Sequence, residues 1–86
     1  MADEEKNRVE VDIYGQSYTI VGKESREQMR LVATMVDDKM REIRKVNPAL
    51  DSTRLAVLTA VNSVNEQVKL KEQIKQLQLQ LEQLKG

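Results

Sequence analysis

The stretch Leu70-Lys71-Glu72-Gln73-Ile74-Lys75-Gln76-Leu77-Gln78-Leu79-Gln80-Leu81-Glu82-Gln83-Leu84 decides how this chain is built. Leu70, Ile74, Leu77, Leu81 and Leu84 are spaced four, three, four and three, the seam of a left-handed coiled coil. Ile74 and Leu81 take a positions, Leu77 and Leu84 take d positions, and the flanking e and g sites are Gln73, Gln78, Gln80 and Lys85. Charges that would select strand direction are nearly absent there, so the heptads announce association while leaving parallel and antiparallel pairing open. Leu79 falls at an f position. It reads either as a lone exposed leucine or as a second apolar edge suited to a bundle of more than two strands. A strand reading of the Gln-Leu alternation fails on its flanks, which are rich in Lys, Glu and Gln and lack turn residues.

Working toward the N-terminus, nothing breaks the helix before Asp51 or Ser52, either of which can cap it. A helix over 51–86 is a rod of roughly 50 Å at ~1.5 Å per residue. Its first half is more densely apolar, with Leu55, Ala56, Val57, Leu58, Ala60, Val61, Val64 and Val68 covering more than one stripe, so it needs cover on two sides. Between Val68 and Leu70 the phase slips by one residue, where globular packing hands over to coiled coil. The association residues are therefore Val61, Val64, Val68, Leu70, Ile74, Leu77, Leu81 and Leu84. Exposing the five seam residues forfeits several kcal/mol at roughly 1.5–3 kcal/mol each, comparable to the stability of a small domain. Homo-oligomerisation follows.

Residues 9–50 make a small head. Val9-Glu10-Val11-Asp12-Ile13-Tyr14 and Ser17-Tyr18-Thr19-Ile20 alternate on either side of Gly15-Gln16, the signal of a type II′ hairpin. With that loop, Tyr14 opposes Ser17, Ile13 opposes Tyr18, Asp12 opposes Thr19 and Val11 opposes Ile20. One face carries Val9, Val11, Ile13, Tyr18 and Ile20, and the other Glu10, Asp12 and Thr19. An isolated hairpin is marginal in water, so it needs a helix on its apolar face and can extend its sheet through a free edge with a second copy. That helix follows Gly22. Ser25 and Gln28 form a capping box, and Met29, Val32, Val36, Met40 and Ile43 form the apolar stripe, widened by Leu31, Met35 and Val46. Asn47-Pro48 stops it. The fold class is α+β: an N-terminal β-hairpin packed on a helix, then a long C-terminal helix forming an oligomeric coiled coil. Residues 1–8 form a polar lead outside the fold.

Composition narrows the function. The 86 residues include no Cys and no His, which removes disulfides, thiolate metal sites and the usual proton shuttle, and no cofactor is implied. No nucleophile elbow, phosphate loop or zinc spacing occurs, so the chain does not read as an enzyme. Fourteen Lys plus Arg against fourteen Asp plus Glu cancel, which argues against nucleic acid and for a protein partner. The charged start and the lack of an apolar span exclude a membrane and read as cytoplasmic. A cationic run, Lys39, Arg41, Arg44 and Lys45 with Arg54 beyond Pro48, is either a solvated face or a patch for an acidic partner surface. Asp37-Asp38 reads as surface, since it lacks the loop ligands of a Ca²⁺ site. Runner-up readings are a generic coiled-coil adaptor and a helix-turn-helix regulator around Asn47-Pro48, the latter lacking a basic recognition face.

The hairpin Val9-Glu10-Val11-Asp12-Ile13-Tyr14-Gly15-Gln16-Ser17-Tyr18, the helical stretch Val36-Asp37-Asp38-Lys39-Met40 and Leu55-Ala56-Val57-Leu58-Thr59-Ala60-Val61-Asn62 together resemble the ZapA family of bacterial cell-division proteins. The likeness spans residues 9–86, and the compact tail and polar lead resemble its shorter Gram-positive members. The resemblance implies a non-catalytic protein that binds the tubulin-like division GTPase FtsZ at midcell, bundles its protofilaments and promotes assembly of the division ring. It implies dimers formed through the head and the helix beside it, paired through antiparallel coiled coils into a tetramer. It implies filament contacts on charged head residues, which here nominates Arg41, Arg44, Lys45 and Arg54.

Overall fold

The computed structural model describes residues 6–85. Strands β1 (Asn7–Ile13) and β2 (Gln16–Gly22) form an antiparallel hairpin, followed by helices α1 (Arg26–Val46) and α2 (Ser52–Lys85). The α+β class and the element order agree with the sequence reading. Residues 1–5 of the polar lead lie outside the described residues. Asn7 and Arg8, assigned to that lead from sequence, are strand residues instead. Side-chain and backbone bonds draw them in: Asn7 Nδ2 donates to the Glu24 carbonyl at 2.8 Å, and Arg26 Nε donates to the Arg8 carbonyl at 3.3 Å.

The hairpin register differs from the expected one. Ile13 pairs with Gln16, Asp12 with Ser17, Val11 with Tyr18 and Val9 with Ile20, so the loop is Tyr14-Gly15. Positive φ at both positions, 49° at Tyr14 and 79° at Gly15, makes the turn type I′ and not II′. Relative to the expected pairing, β2 has moved by two residues, which preserves both faces because side chains alternate with a period of two. Val9 and Val11 are thus buried against Met29 and Ala33 of α1, with Ile13 and Ile20 packed around them. On the other face Ser17 Oγ donates to Asp12 Oδ1 at 2.7 Å.

Ser25 caps α1 as expected, its hydroxyl accepting from the Gln28 amide at 3.0 Å. The inner stripe differs at one place. Ala33 is buried, while Val32 is half-exposed and joins Leu31 and Met35 on the outer face. A small side chain is what close approach of helix and sheet requires, and hydrophobicity alone would choose the valine. Asn47 ends the helix, its amide still bonding to the Ile43 carbonyl, and Asp51 caps α2 through the Arg54 amide at 2.8 Å.

A second small core joins the helices. Leu55 of α2 is completely buried, Met40 of α1 is buried, and Thr59 satisfies its hydroxyl on the Leu55 carbonyl at 2.7 Å. From Ala60 to Lys85 every described residue is exposed. The radius of gyration is 17.4 Å, against roughly 12 Å for a compact domain of this length. Accessible surface is 7319 Å², about 2,000 Å² more than the roughly 5,200 Å² of a compact monomer of this mass. That excess is more than twice the roughly 800 Å² that each partner gives up in a standard protein interface.

Candidate functional site

The nominated basic residues occupy two different sides of α1, because residues 39 and 41 are about 200° apart around a helix of 3.6 residues per turn. Lys39 turns toward α2 and pairs with Glu66, with Glu42 at 4.0 Å. That pairing, Glu66 first, raises the lysine above its ordinary value. Arg41 and Arg44 turn toward the hairpin. Lys45 is exposed, and Arg54, also exposed, has Asp51 at 3.9 Å. The structure therefore brings Arg41 and Arg44 together and separates Lys39 from them.

Tyr14 is the centre on which the two arginines converge. Arg44 Nη1 donates to the Tyr14 hydroxyl at 3.2 Å and to the Leu50 carbonyl at 3.4 Å, tying the hairpin turn to the loop between the helices. The Arg41 guanidinium lies over the Tyr14 ring, 5.4 Å from its centroid, within cation–π range. Asp37 completes the cluster. Its carboxylate accepts the Tyr14 backbone N–H at 2.6 Å and Arg41 Nε at 2.9 Å. These bonds, Arg41 first and then the Tyr14 amide, hold Asp37 below the ordinary carboxylate range and raise Arg41.

A tyrosine in the left-handed region costs about 1 kcal/mol or more and persists only where its surroundings fix it. Here three side chains of α1 do so. Asp37 is thus a structural anchor, which the reading of Asp37-Asp38 as plain surface missed. The signal available in sequence was Arg41, one helical turn away at i+4, ready to pair with it. The contact to Tyr14 spans twenty-three residues and has no local signature.

The association residues all face solvent in the single chain. Val61, Val64, Val68, Leu70, Ile74, Leu77, Leu81 and Leu84 are each between 54% and 85% exposed. They form two lines. Val57, Val61, Val64 and Val68 repeat at four, three and four, and the leucine series then begins one residue early, turning the apolar line by about 100° around the rod. The valine line lies beside the head and the leucine line beyond it. An open groove of about 650 Å³ between the helices, with Ile43, Val46, Leu58 and Val61 on its walls, adds to the uncovered apolar surface near the head.

Among the described residues no group of three or more acidic side chains could hold a metal ion, and no helix is long and apolar enough to cross a membrane. What the arrangement offers is surface: a rigidly clasped hairpin tip flanked by arginines at one end, and an uncovered seam at the other.

Comparison with known proteins gives a consistent result. The family model described as "Cell division protein ZapA" matches residues 9–86. The cell division protein ZapA of Geobacillus sp. (strain WCH70) is 61% identical over 77 residues, covering 90% of this chain and 88% of that protein. The cell division protein ZapA of Bacillus subtilis (strain 168) is 58% identical over 83 residues, covering 96% of this chain and 98% of that protein. Among solved structures, a ZapA mutant dimer from Geobacillus stearothermophilus is 54% identical, with a TM-score of 0.73 and 95% of each chain covered.

Proposed function

The chain belongs to the ZapA family of cell division proteins, and from that premise we propose that it is a non-catalytic, cytoplasmic protein that binds FtsZ at midcell and cross-links its protofilaments. The observation that carries this reading is the leucine line, which extends past the reach of its own head and stays uncovered along the whole end of α2. Two copies associate through the head and the valine line, and pairs of dimers join through Leu70, Ile74, Leu77, Leu81 and Leu84. Each assembly then carries heads at both ends of a rod.

Bundling is a consequence of that geometry. A protein attached to one filament by its first head presents the second at high effective concentration to the neighbouring filament, so weak contacts give useful avidity. Rod length fixes the filament spacing. Arg41, Arg44, Lys45 and Arg54 supply cationic groups of the head for an acidic filament surface, while Lys39 lies apart from Arg41 and Arg44 with its charge paired to Glu66 of α2. Rim charges of this kind govern encounter rate and salt dependence more than final affinity.

The test is direct. Mixed with polymerised FtsZ, the chain should pellet with the filaments and gather them into bundles visible by negative-stain electron microscopy. Filaments that stay single, with the chain left in the supernatant, would remove this function.

A further inference from the structure

The two edges of the hairpin are chemically unequal. In a two-residue hairpin the residues flanking the turn, here Ile13 and Gln16, are a hydrogen-bonded pair, and bonded pairs continue at Val11 with Tyr18 and Val9 with Ile20. The residues between them direct their backbone N–H and C=O away from the ladder. On β1 these are Arg8, Glu10 and Asp12, all charged, a usual guard against further strand pairing. On β2 they are Ser17, Thr19 and Val21, uncharged, with no proline or bulge. One edge is defended and the other is open.

A groove of about 440 Å³ lies beside the open edge, between the hairpin, Met40 of α1 and the start of α2 at Ser52 and Ala56. Ile13, Tyr18 and Ile20 present apolar surface to it. Thr19 also borders it although its side chain belongs to the opposite face, so the groove reaches the backbone edge itself. No charged residue lines it. Arg44 stands at its end, bonded to Tyr14, which is itself a lining residue, and Arg41 lies over the same ring.

Building on the filament-binding reading, we infer that β2 and this groove receive an extended segment of the filament protein as an added strand. Its backbone bonds to Ser17, Thr19 and Val21, alternate apolar side chains enter beside Tyr18 and Ile20, and a carboxylate meets Arg44. A second copy fits this edge less well. Antiparallel pairing of β2 with itself about Thr19 sets Lys23 of one copy opposite Gly15 of the other, next to Tyr14 and the Arg44 bonded to it. Among the described residues the Arg44 charge meets no carboxylate there, so like charges approach across the new sheet. An acidic segment meets the same charges favourably.

Thr19→Pro removes an outward N–H at a position where an edge strand tolerates proline, and Thr19→Lys places a guarding charge on the edge while leaving the backbone intact. Both are compared with the unaltered chain for pelleting with FtsZ filaments, for mass by light scattering, and for hydrogen–deuterium exchange at Ser17, Thr19 and Val21. The unaltered chain should pellet, with those three amides protected at least about tenfold on binding, while both variants keep their mass and bind at least about tenfold more weakly. Variants that pellet like the unaltered chain, or amides that stay unprotected in the bound state, overturn the added strand while leaving filament binding in place. An unaltered chain that fails to pellet overturns filament binding and this inference together. A changed mass in either variant assigns the edge to a second copy and overturns the assignment to the filament.

Discussion

Replacing Leu77 by Glu puts a carboxylate at the middle of the leucine line, at a d position of the heptad. Leu77 is 63% exposed in the single chain, so its association can bury about two thirds of a side chain worth ~1.5–3 kcal/mol when fully covered, or roughly 1–2 kcal/mol. The glutamate loses that contribution and adds the cost of desolvating a charge, several kcal/mol if it cannot reach water. With one substitution on each helix the pair loses on the order of 4–6 kcal/mol, a weakening of a thousandfold or more. Sedimentation velocity from micromolar to hundreds of micromolar reads this as a fall to the next smaller assembly. The head should keep its melting transition, since its cores at Val9, Val11, Met29 and Ala33 and at Leu55 lie far up the chain. FtsZ filaments should then be bound singly and no longer bundled. An assembly of unchanged size would refute the role of this seam.

Other expected outcomes follow from the same geometry. Leu55→Ala empties a fully buried site between the helices and should cost about 2–5 kcal/mol, read as a lower urea midpoint; a change below 1 kcal/mol, measured against that range, would show that α2 does not anchor in the head. Asp37 is held below the ordinary carboxylate value, so its contribution is present above the unfolded value near 4 and is lost as pH falls through the lower folded value. The Tyr14 amide resonance should therefore shift on acidification, and in Asp37→Asn that titration should vanish; a titration that persists would place its source elsewhere. Arg41→Glu with Arg44→Glu should reduce pelleting with FtsZ, but both residues also clasp Tyr14. Lys45→Glu, on an exposed lysine, is the cleaner variant and should weaken pelleting most at low salt. Equal pelleting at every salt concentration would return Lys45 to an ordinary solvated face.

The elements that rest on repeated spacing were legible in the sequence. The leucine line, the capping box at Ser25 and the stop at Asn47-Pro48 each carry a local physical signature, and the structure has helix boundaries to match. The hairpin register was not, because a shift of two residues leaves every side chain on its expected face, and both Gly15-Gln16 and Tyr14-Gly15 make an acceptable turn. The turn that forms, Tyr14-Gly15, is held by Asp37, twenty-three residues along the chain, which accepts from the Tyr14 amide, a contact with no local signature. Ala33 was overlooked for a similar reason: hydrophobicity points to Val32, while the distance between helix and sheet selects the smaller side chain. The cationic run was visible as composition but not as a surface, since neighbours in sequence at 39 and 41 diverge around the helix. Their partners, Glu66 and Tyr14, come from different elements.

Sedimentation equilibrium of the unaltered full chain across a wide concentration range tests the central claim most directly. Association through the exposed seam requires masses at defined multiples of the single chain, persisting down to low micromolar concentration. A single 9.9 kDa species at every concentration, unfolding in one cooperative step, would contradict the account at its root.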